Sequence, residues 1–567
     1  MADRQTGGWW WLVALVVFML EGVTTTSAWG STYAVYIPLD SSIYTELETL
    51  NGLGYLDTYL DEIKPISRVE AARLTLEAEE KVDDSKDAEP LARSLIQTLK
   101  TQLREEVGWL ENNAEDDQPT MVHSVERLEM QYVFSSGPQR RWRTSAVGTP
   151  SDSGINAEEA TPLLPNNDGL PTAAGSNEIA RWSGWVGFGG FLTGYGEGAL
   201  AGPLTRTIGG VSRLQPLGSA VVASLGDLAI SFGTEEMWWG TGHFDALAQS
   251  DNASPFPALR IQNIHPTLLP SVFRYLGQFR YQFFFGQLDG DRYFAHPWID
   301  GEIFSFKPLP TFEFGFTHTI DFGGVHNDNY SIPGFLGRAT GFATGSPIGA
   351  NTNSRGGVYL KFYFPSLRNL GVYQEILGED NLTKELPPVG RFLPFLAVSY
   401  QGGFYLPRLT ADGLTDLRFE YAIIEPNYSV HGDSLYWTYE GQLIGDPLGP
   451  NASEVDLQVG RWLDLRTKVS ADVFYTEQAP GYDTNAPYPA EFYPYPLGKE
   501  HSGGIAFDML RLPRPMRKLG DGLATIRARA TVEYGQDLNY HSNTNSVRFL
   551  LMFSGAFTPG FASWMWN

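Results

Sequence analysis

Two hydrophobic periods divide this chain. Between residues 29 and 122 apolar side chains recur every third or fourth position: Ile43, Leu47 and Leu50, then Val69, Ala72 and Leu76, then Leu91, Leu95, Leu99 and Leu103. That spacing lines one face of a helix. Asp40 or Ser41 stands where a cap belongs before the first stripe, and Gly52 and Gly54 stop it. Ser67, with Glu70 three residues on, makes a capping box for the second. Helices are therefore expected over 40–53, 67–82 and 87–107.

From about Ser124 the period becomes two. Leu128, Met130, Tyr132 and Phe134 alternate with Arg127, Glu129 and Gln131. The same rhythm returns in Phe279 to Phe285, in Val469 to Tyr475, and most regularly in Ile526, Ala528, Ala530, Val532 and Tyr534 against Arg527, Arg529, Thr531 and Glu533. Alternation alone also fits a soluble sandwich. A long succession of such segments, broken by Gly, Asn, Asp and Pro turns and by no helices, favours one closed sheet, which has no exposed edge. At roughly 25 residues per strand and connection, residues 123–567 hold ~16–18 strands. The expected fold is a transmembrane antiparallel β-barrel preceded by a small N-terminal α-helical domain over 29–122. Within the barrel, 144–177 is rich in Ser, Thr, Pro, Asn and Gly without a period, and reads as a flexible loop.

Composition supports the barrel. Charged residues are 19%, aromatics 13%, and 61 of 567 residues are Gly. The mean hydropathy of −0.20 excludes a polytopic helical membrane protein. There is no cysteine, which removes disulfide scaffolds, Cys-rich zinc sites and thiol catalysis. The net charge of −25 argues against nucleic acid as a partner. Residues 29–122 carry 20 acidic and 8 basic side chains, as expected of a solvated periplasmic domain or plug. Residues 1–28 read as a secretory signal, with Arg4, an apolar run from Trp9 to Leu20, and Thr26-Ser27-Ala28 at the cleavage position. The predicted location is the bacterial outer membrane.

Charge on a lipid-facing position costs ~2–4 kcal/mol at mid-bilayer for Arg or Lys. The alternation therefore assigns Arg280, Glu313, Lys361, Arg418, Glu420, Lys468, Asp472, Arg527, Arg529 and Glu533 to the lumen. Their mixed signs suggest ion pairs across a narrow or occluded interior more than a selective channel. Trp238-Trp239-Gly240 with Gly242-His243 reads either as an aromatic girdle pair at the membrane interface or as a platform for sugar rings. The nine histidines form no metal-binding pair at helical spacing and accompany no G-x-S-x-G nucleophile. No enzyme activity, metal or cofactor is expected. Asp289, Asp291 and Arg292 lie on a Gly-bracketed turn that lacks the fuller calcium-loop pattern.

Several short blocks then converge. Tyr36-Ile37-Pro38-Leu39-Asp40-Ser41 and Ile66-Ser67-Arg68-Val69-Glu70-Ala71-Ala72-Arg73 open the helices. Met237 to His243, Asn252 to Pro257, Phe285 to Arg292, Gly378-Glu379-Asp380 and Leu417 to Tyr421 follow in the barrel. In this order they resemble the capsule-assembly Wzi family of bacterial outer-membrane proteins. The resemblance implies a barrel of about eighteen strands with a helical bundle near its periplasmic end. It also implies lectin-like holding or organising of capsular or extracellular polysaccharide at the cell surface. The implied partners are that polysaccharide, outer-membrane lipid and polysaccharide export machinery. A diffusion porin or substrate-specific channel is the alternative. A polymer outside the cell reaches only outer loops and the upper lumen. The extended connections at about 240–257, 288–300, 323–355, 376–390 and 478–499 are therefore where glycan contacts are expected. In them Trp298, Tyr330, Tyr482, Tyr488 and Tyr493 are placed to stack on sugars, and Asp289, Asp291, Arg292, Glu379 and Asp380 to bond hydroxyls.

Overall fold

A computed structural model describes residues 32–566, apart from 86–87, 113–117, 144–155, 203–212, 291, 293, 326, 328–351, 380–397, 426–429, 432–434, 480–498, 517–521, 541–542 and 560–562. The signal segment expected over 1–28 lies outside the described residues. The helical periods become α1 (Ser42–Gly52), α2 (Arg68–Asp84), α3 (Pro90–Gln102) and α4 (Arg104–Glu111). Ser41 caps α1 and Ser67 caps α2, each through its hydroxyl. The single third helix expected over 87–107 is instead two. At Leu103 the backbone leaves helical geometry (φ −111°, ψ 29°), and Arg68 Nη2 donates to the neighbouring Gln102 carbonyl at 2.9 Å while its Nε meets Glu106 at 2.6 Å. The break lets one guanidinium hold both helices.

The period-two segments form eighteen antiparallel strands in one closed barrel: β1 (Thr120–Ser136), β2 (Gly175–Phe188), β3 (Leu192–Gly202), β4 (Arg213–Leu225), β5 (Leu228–Thr234) and β6 (Pro257–Asn263). They continue with β7 (Gln278–Gln287), β8 (Trp298–Leu309), β9 (Phe312–Phe322), β10 (Thr352–Phe364), β11 (Leu370–Glu379) and β12 (Val398–Leu406). The last six are β13 (Thr415–Ile424), β14 (Ala452–Asp464), β15 (Thr467–Gln478), β16 (Glu500–Met516), β17 (Gly522–Gln536) and β18 (Ser546–Thr558). Two short pieces, Thr267–Leu268 and Ser563–Trp566, prolong the places of β6 and β18. β1 closes the ring, with Leu128 opposite Trp182 of β2 on one side and Phe557 of β18 on the other.

Connections sort by length onto the two ends. One end carries short links such as 189–191, 226–227, 310–311 and 465–466; the other carries 137–174, 235–256, 323–351 and 425–451. Short periplasmic turns and long outer loops are the habit of such barrels, and the helices sit at the short-turn end. Their core, including Leu47, Leu74, Leu95 and Leu99, buries Trp462 and Leu512 from the barrel's lower rim. Phe232 (66% exposed), Phe188 (60%) and Met130 (60%) belong to the outward face of the sheet, which is where lipid meets it.

Of the loop expected over 144–177, residues 144–155 lie outside the described residues, and the rest differs from the expectation. Residues 175–177 already belong to β2, and 156–158 pair with 141–143 as a small hairpin. Leu163 and Leu170 pack with Val133, Ile179 and Leu217. Isolated leucines in a polar stretch show no period, yet each fills the barrel mouth.

Candidate functional site

The lumen is filled from both ends. Residues 55–66 rise from the helical domain into the barrel, and the connection 235–256 descends from the outer end. They meet as a two-stranded sheet in which Ile63 pairs with Trp239 and Lys64 with Trp238. Trp239 is fully buried among Ile63, Phe284, Leu247 and Ile303 and donates its indole N–H to Gln282 at 2.6 Å. The Trp238-Trp239 pair is thus no membrane girdle. It stands inside the barrel, because the loop that carries it turns inward.

Ten charges were expected in the lumen, and most of them engage this plug or a neighbouring strand. Arg280 donates to the carbonyls of Leu60 (3.4 Å) and Pro65 (3.3 Å). Lys361 pairs with Asp61 at 2.5 Å and Glu62 at 3.5 Å, and Arg418 with Glu48 at 2.7 Å. Glu420 accepts the backbone N–H groups of His243 (2.8 Å) and Phe244 (3.2 Å) and the Tyr373 hydroxyl (2.6 Å). Along the wall, Glu313 pairs with Lys307 at 2.6 Å, Lys468 with Asp416 at 2.9 Å, Arg529 with Asp508 at 3.5 Å and Glu533 with Arg548 at 2.9 Å. Asp472 is buried. Arg527 lines two cavities, of about 520 Å³ above and about 160 Å³ below, that meet at Asp40, Ser41 and Arg527.

The plug supplies partners that alternation could not assign. Asp40 receives Arg127 at 2.6 and 2.5 Å and Arg181 at 3.1 Å. Burial alone raises a carboxyl, but these guanidiniums hold Asp40 far below its ordinary range. Asp61 is treated likewise: burial pushes it up, Lys361 and Lys64 outweigh that, and it stands at about 2. Across the inner end of the inward loop, burial and the Asp40 charge push Glu236 up to about 7 while it accepts the Leu39 N–H at 2.6 Å. These are seam residues: they lock helical domain, inward loop and wall together. Of these, only Asp40 lay in a block singled out in the sequence, Tyr36–Ser41; Asp61 and Glu236 carried no such signal.

The residues expected to meet glycan scatter. Arg292 turns inward; its guanidinium reaches Asp289 at 3.2 Å and the Thr438 carbonyl, and Asp289 accepts the Glu440 N–H at 2.5 Å. Both tie one outer connection to another. Trp298 is a correction: it is not in a loop but opens β8, 39% exposed on the outer face, its ring stacked 5.0 Å from Phe285. A strand residue opposite Gln287 and Phe322 takes the outward side by the pleat. Its ring lies on the outward, lipid-facing side of the sheet. Glu379 is the last residue of β11. Tyr330, Tyr482, Tyr488, Tyr493, Asp291 and Asp380 lie outside the described residues.

A plugged eighteen-stranded barrel with its long connections at one end defines a protein of the bacterial outer membrane, and among the described residues the plug and the inward loop occupy much of its interior around the two cavities. Residues 144–539 match the family described as Capsule assembly protein Wzi, and the chain belongs to that family. A 167-residue stretch is 26% identical to an uncharacterized 55.8 kDa protein in the cps region of Klebsiella pneumoniae; it covers 29% of this chain and 33% of that protein, about a third of the relative's length. Wzi of Escherichia coli, described as a carbohydrate-binding β-barrel involved in group 1 capsule assembly, superposes with a TM-score of 0.62 at 17% identity. The superposition spans 93% of this chain and 99% of that one, and at such identity it speaks for the fold.

Proposed function

We propose that this protein holds capsular or extracellular polysaccharide at the cell surface, in the manner of a lectin, and so supports capsule assembly. One observation carries the reading. With the plug and the inward loop filling the lumen, the outer end offers a polymer a surface to rest on, not a route through. Family membership and the carbohydrate binding ascribed to the Escherichia coli protein support the choice of ligand. The contacts we assign are Tyr330, Tyr482, Tyr488 and Tyr493 as stacking faces and Asp291, Glu379 and Asp380 as hydroxyl partners. Asp289 and Arg292 act by holding their loop in place.

Joint replacement of the four tyrosines by Ala is the direct test. Cell-bound polysaccharide, measured by a polysaccharide stain in flow cytometry, falls while heat-modifiable migration of the barrel is unchanged. Wild-type retention in that variant, with loss of retention in Arg527→Ala or Arg529→Ala, would move the site into the lumen. The two cavities that meet at Arg527 favour a second reading, a narrow substrate channel, which planar-bilayer conductance of the intact protein distinguishes.

A further inference from the structure

At the periplasmic rim one connection differs from the others. Between β6 and β7 the chain runs from 264 to 277, pairs Thr267–Leu268 against the foot of β7, and makes a 3-10 turn over Ser271–Leu276. No residue of that turn is buried. Leu268 is 62% exposed, Val272 67%, Phe273 43% and Tyr275 73%. Four large apolar or aromatic side chains within eight residues are a costly cluster to leave in water. The one charge among them, Arg274, lies 5.2 Å from the centre of the Tyr275 ring and donates to its hydroxyl at 3.4 Å. It forms no ion pair with a carboxylate among the described residues.

Position says what covers this cluster. Gly277, at φ 75°, carries the chain so close to the Lys307 carbonyl that a β-carbon would lie 1.8 Å from it. The turn is thereby fixed at the lower end of β8, beside Leu309, itself 56% exposed. A few residues higher, the outer face stacks Phe306 on Phe314 at 5.1 Å and sets Phe314 edge-on to Phe316, which is 48% exposed, while Phe279, 5.0 Å from Phe306, is buried beside the turn. The exposed turn thus continues the lipid-facing belt downward, to the depth where headgroups begin. Aromatic rings with a neighbouring cation suit that boundary, since each has an apolar body and a polar edge.

We propose that Leu268–Leu276 is an interfacial foot. Val272, Phe273 and Tyr275 rest at the acyl-chain boundary of the inner leaflet of the outer membrane, and Arg274 takes a phospholipid phosphate. The foot fixes the height of the barrel on the side opposite the glycan-bearing loops.

Because the chain has no cysteine, one nitroxide can be placed without background. Val272→Cys and, as a water-facing control on α2, Glu80→Cys are labelled in the full protein, reconstituted in vesicles of phosphatidylethanolamine and phosphatidylglycerol. Heat-modifiable migration checks assembly. Power saturation should show the label at 272 relaxed by oxygen and shielded from a nickel chelate, with the reverse at 80. Adding Arg274→Glu should raise nickel accessibility at 272 severalfold. If 272 is as nickel-accessible as 80, the turn stands in water, free for a periplasmic protein, and the proposal is wrong. If Arg274→Glu changes nothing while 272 stays shielded, the phosphate contact is wrong.

Discussion

Asp40 shows how much one side chain on the plug decides. It faces Arg127 and Arg181, and Arg127 also leans on Glu129. Asp40→Ala leaves Arg127 to Glu129 and Arg181 to Asp168 and Glu197 alone, and is expected to lower stability by on the order of 2 kcal/mol. Urea unfolding in detergent, followed by tryptophan emission, measures this; a midpoint unchanged from wild type would refute it. Glu70 and His265, 2.7 Å apart, set a pH dependence at the domain seam. Burial raises Glu70, but Arg73 and His265 outweigh it and bring it to about 2, from an ordinary 4.5. Its contribution is present above pH 4.5 and is lost as pH falls toward 2. His265 is raised above its ordinary 6.5 by Glu70 despite burial, so its share is full below 6.5 and lost as pH climbs through the raised value. Protection of the α2 amides, taken relative to their intrinsic exchange rates, should therefore be greatest between the two limits. In Glu70→Gln the acid limb should disappear; if it persists, another carboxylate sets it.

At the scale of elements, the inward loop 235–256 is held by a short strand pairing, by one tryptophan, and by wall side chains such as Glu420, Arg355 and Gln401 that bond its backbone. Trp239→Ala removes a fully buried indole, a loss of about 4 kcal/mol for such a truncation, together with the Gln282 hydrogen bond. The eighteen-stranded ladder does not pass through Trp239. The barrel is therefore expected to assemble while the loop loosens, which protease added to intact cells reads as new cleavage within 235–256. Resistance equal to wild type would mean that the wall contacts hold the loop without Trp239: Glu420 and Glu375 through the N–H groups of His243, Phe244 and Thr241, and Arg260, Arg355 and Gln401 through its carbonyls. The Leu103 break makes the same point for helices. An unbroken apolar stripe gave no sign of it, since Arg68 and Glu106 are on different helices and meet only after folding.

For the whole molecule, the helical domain closes the short-turn end of the barrel and sends residues 55–66 into it as a stopper. Deleting residues 32–112 removes Asp40, Glu48 and Asp61 along with the segment 55–66, leaving Arg127, Lys361 and Arg418 without these partners in a lumen that keeps only the inward loop 235–256. In planar bilayers the deletion variant should give stable conductance steps where the intact protein gives few. Equal, low conductance in both would show that the outer connections alone seal the barrel.

Much of this architecture was legible beforehand because it rests on local periodicity. A period of two with charge kept off the lipid face determined the barrel, its strand number to within two, and the inward side of Arg280, Lys361 and Arg418. Helical stripes and serine caps determined α1 and α2. What no period carries is where a connection goes once it leaves the sheet. The inward turn of 235–256, the burial of Leu163 and Leu170, and the meeting of Ile63 with Trp239, 176 positions apart, depend on residues distant in sequence and on the space left inside a closed wall. Trp298 likewise had its loop reading in sequence, and only its register against Phe322 and Gln287 turned it to the lipid. Sequence set which side of each strand is charged; the closed barrel alone decided what those charges would find facing them.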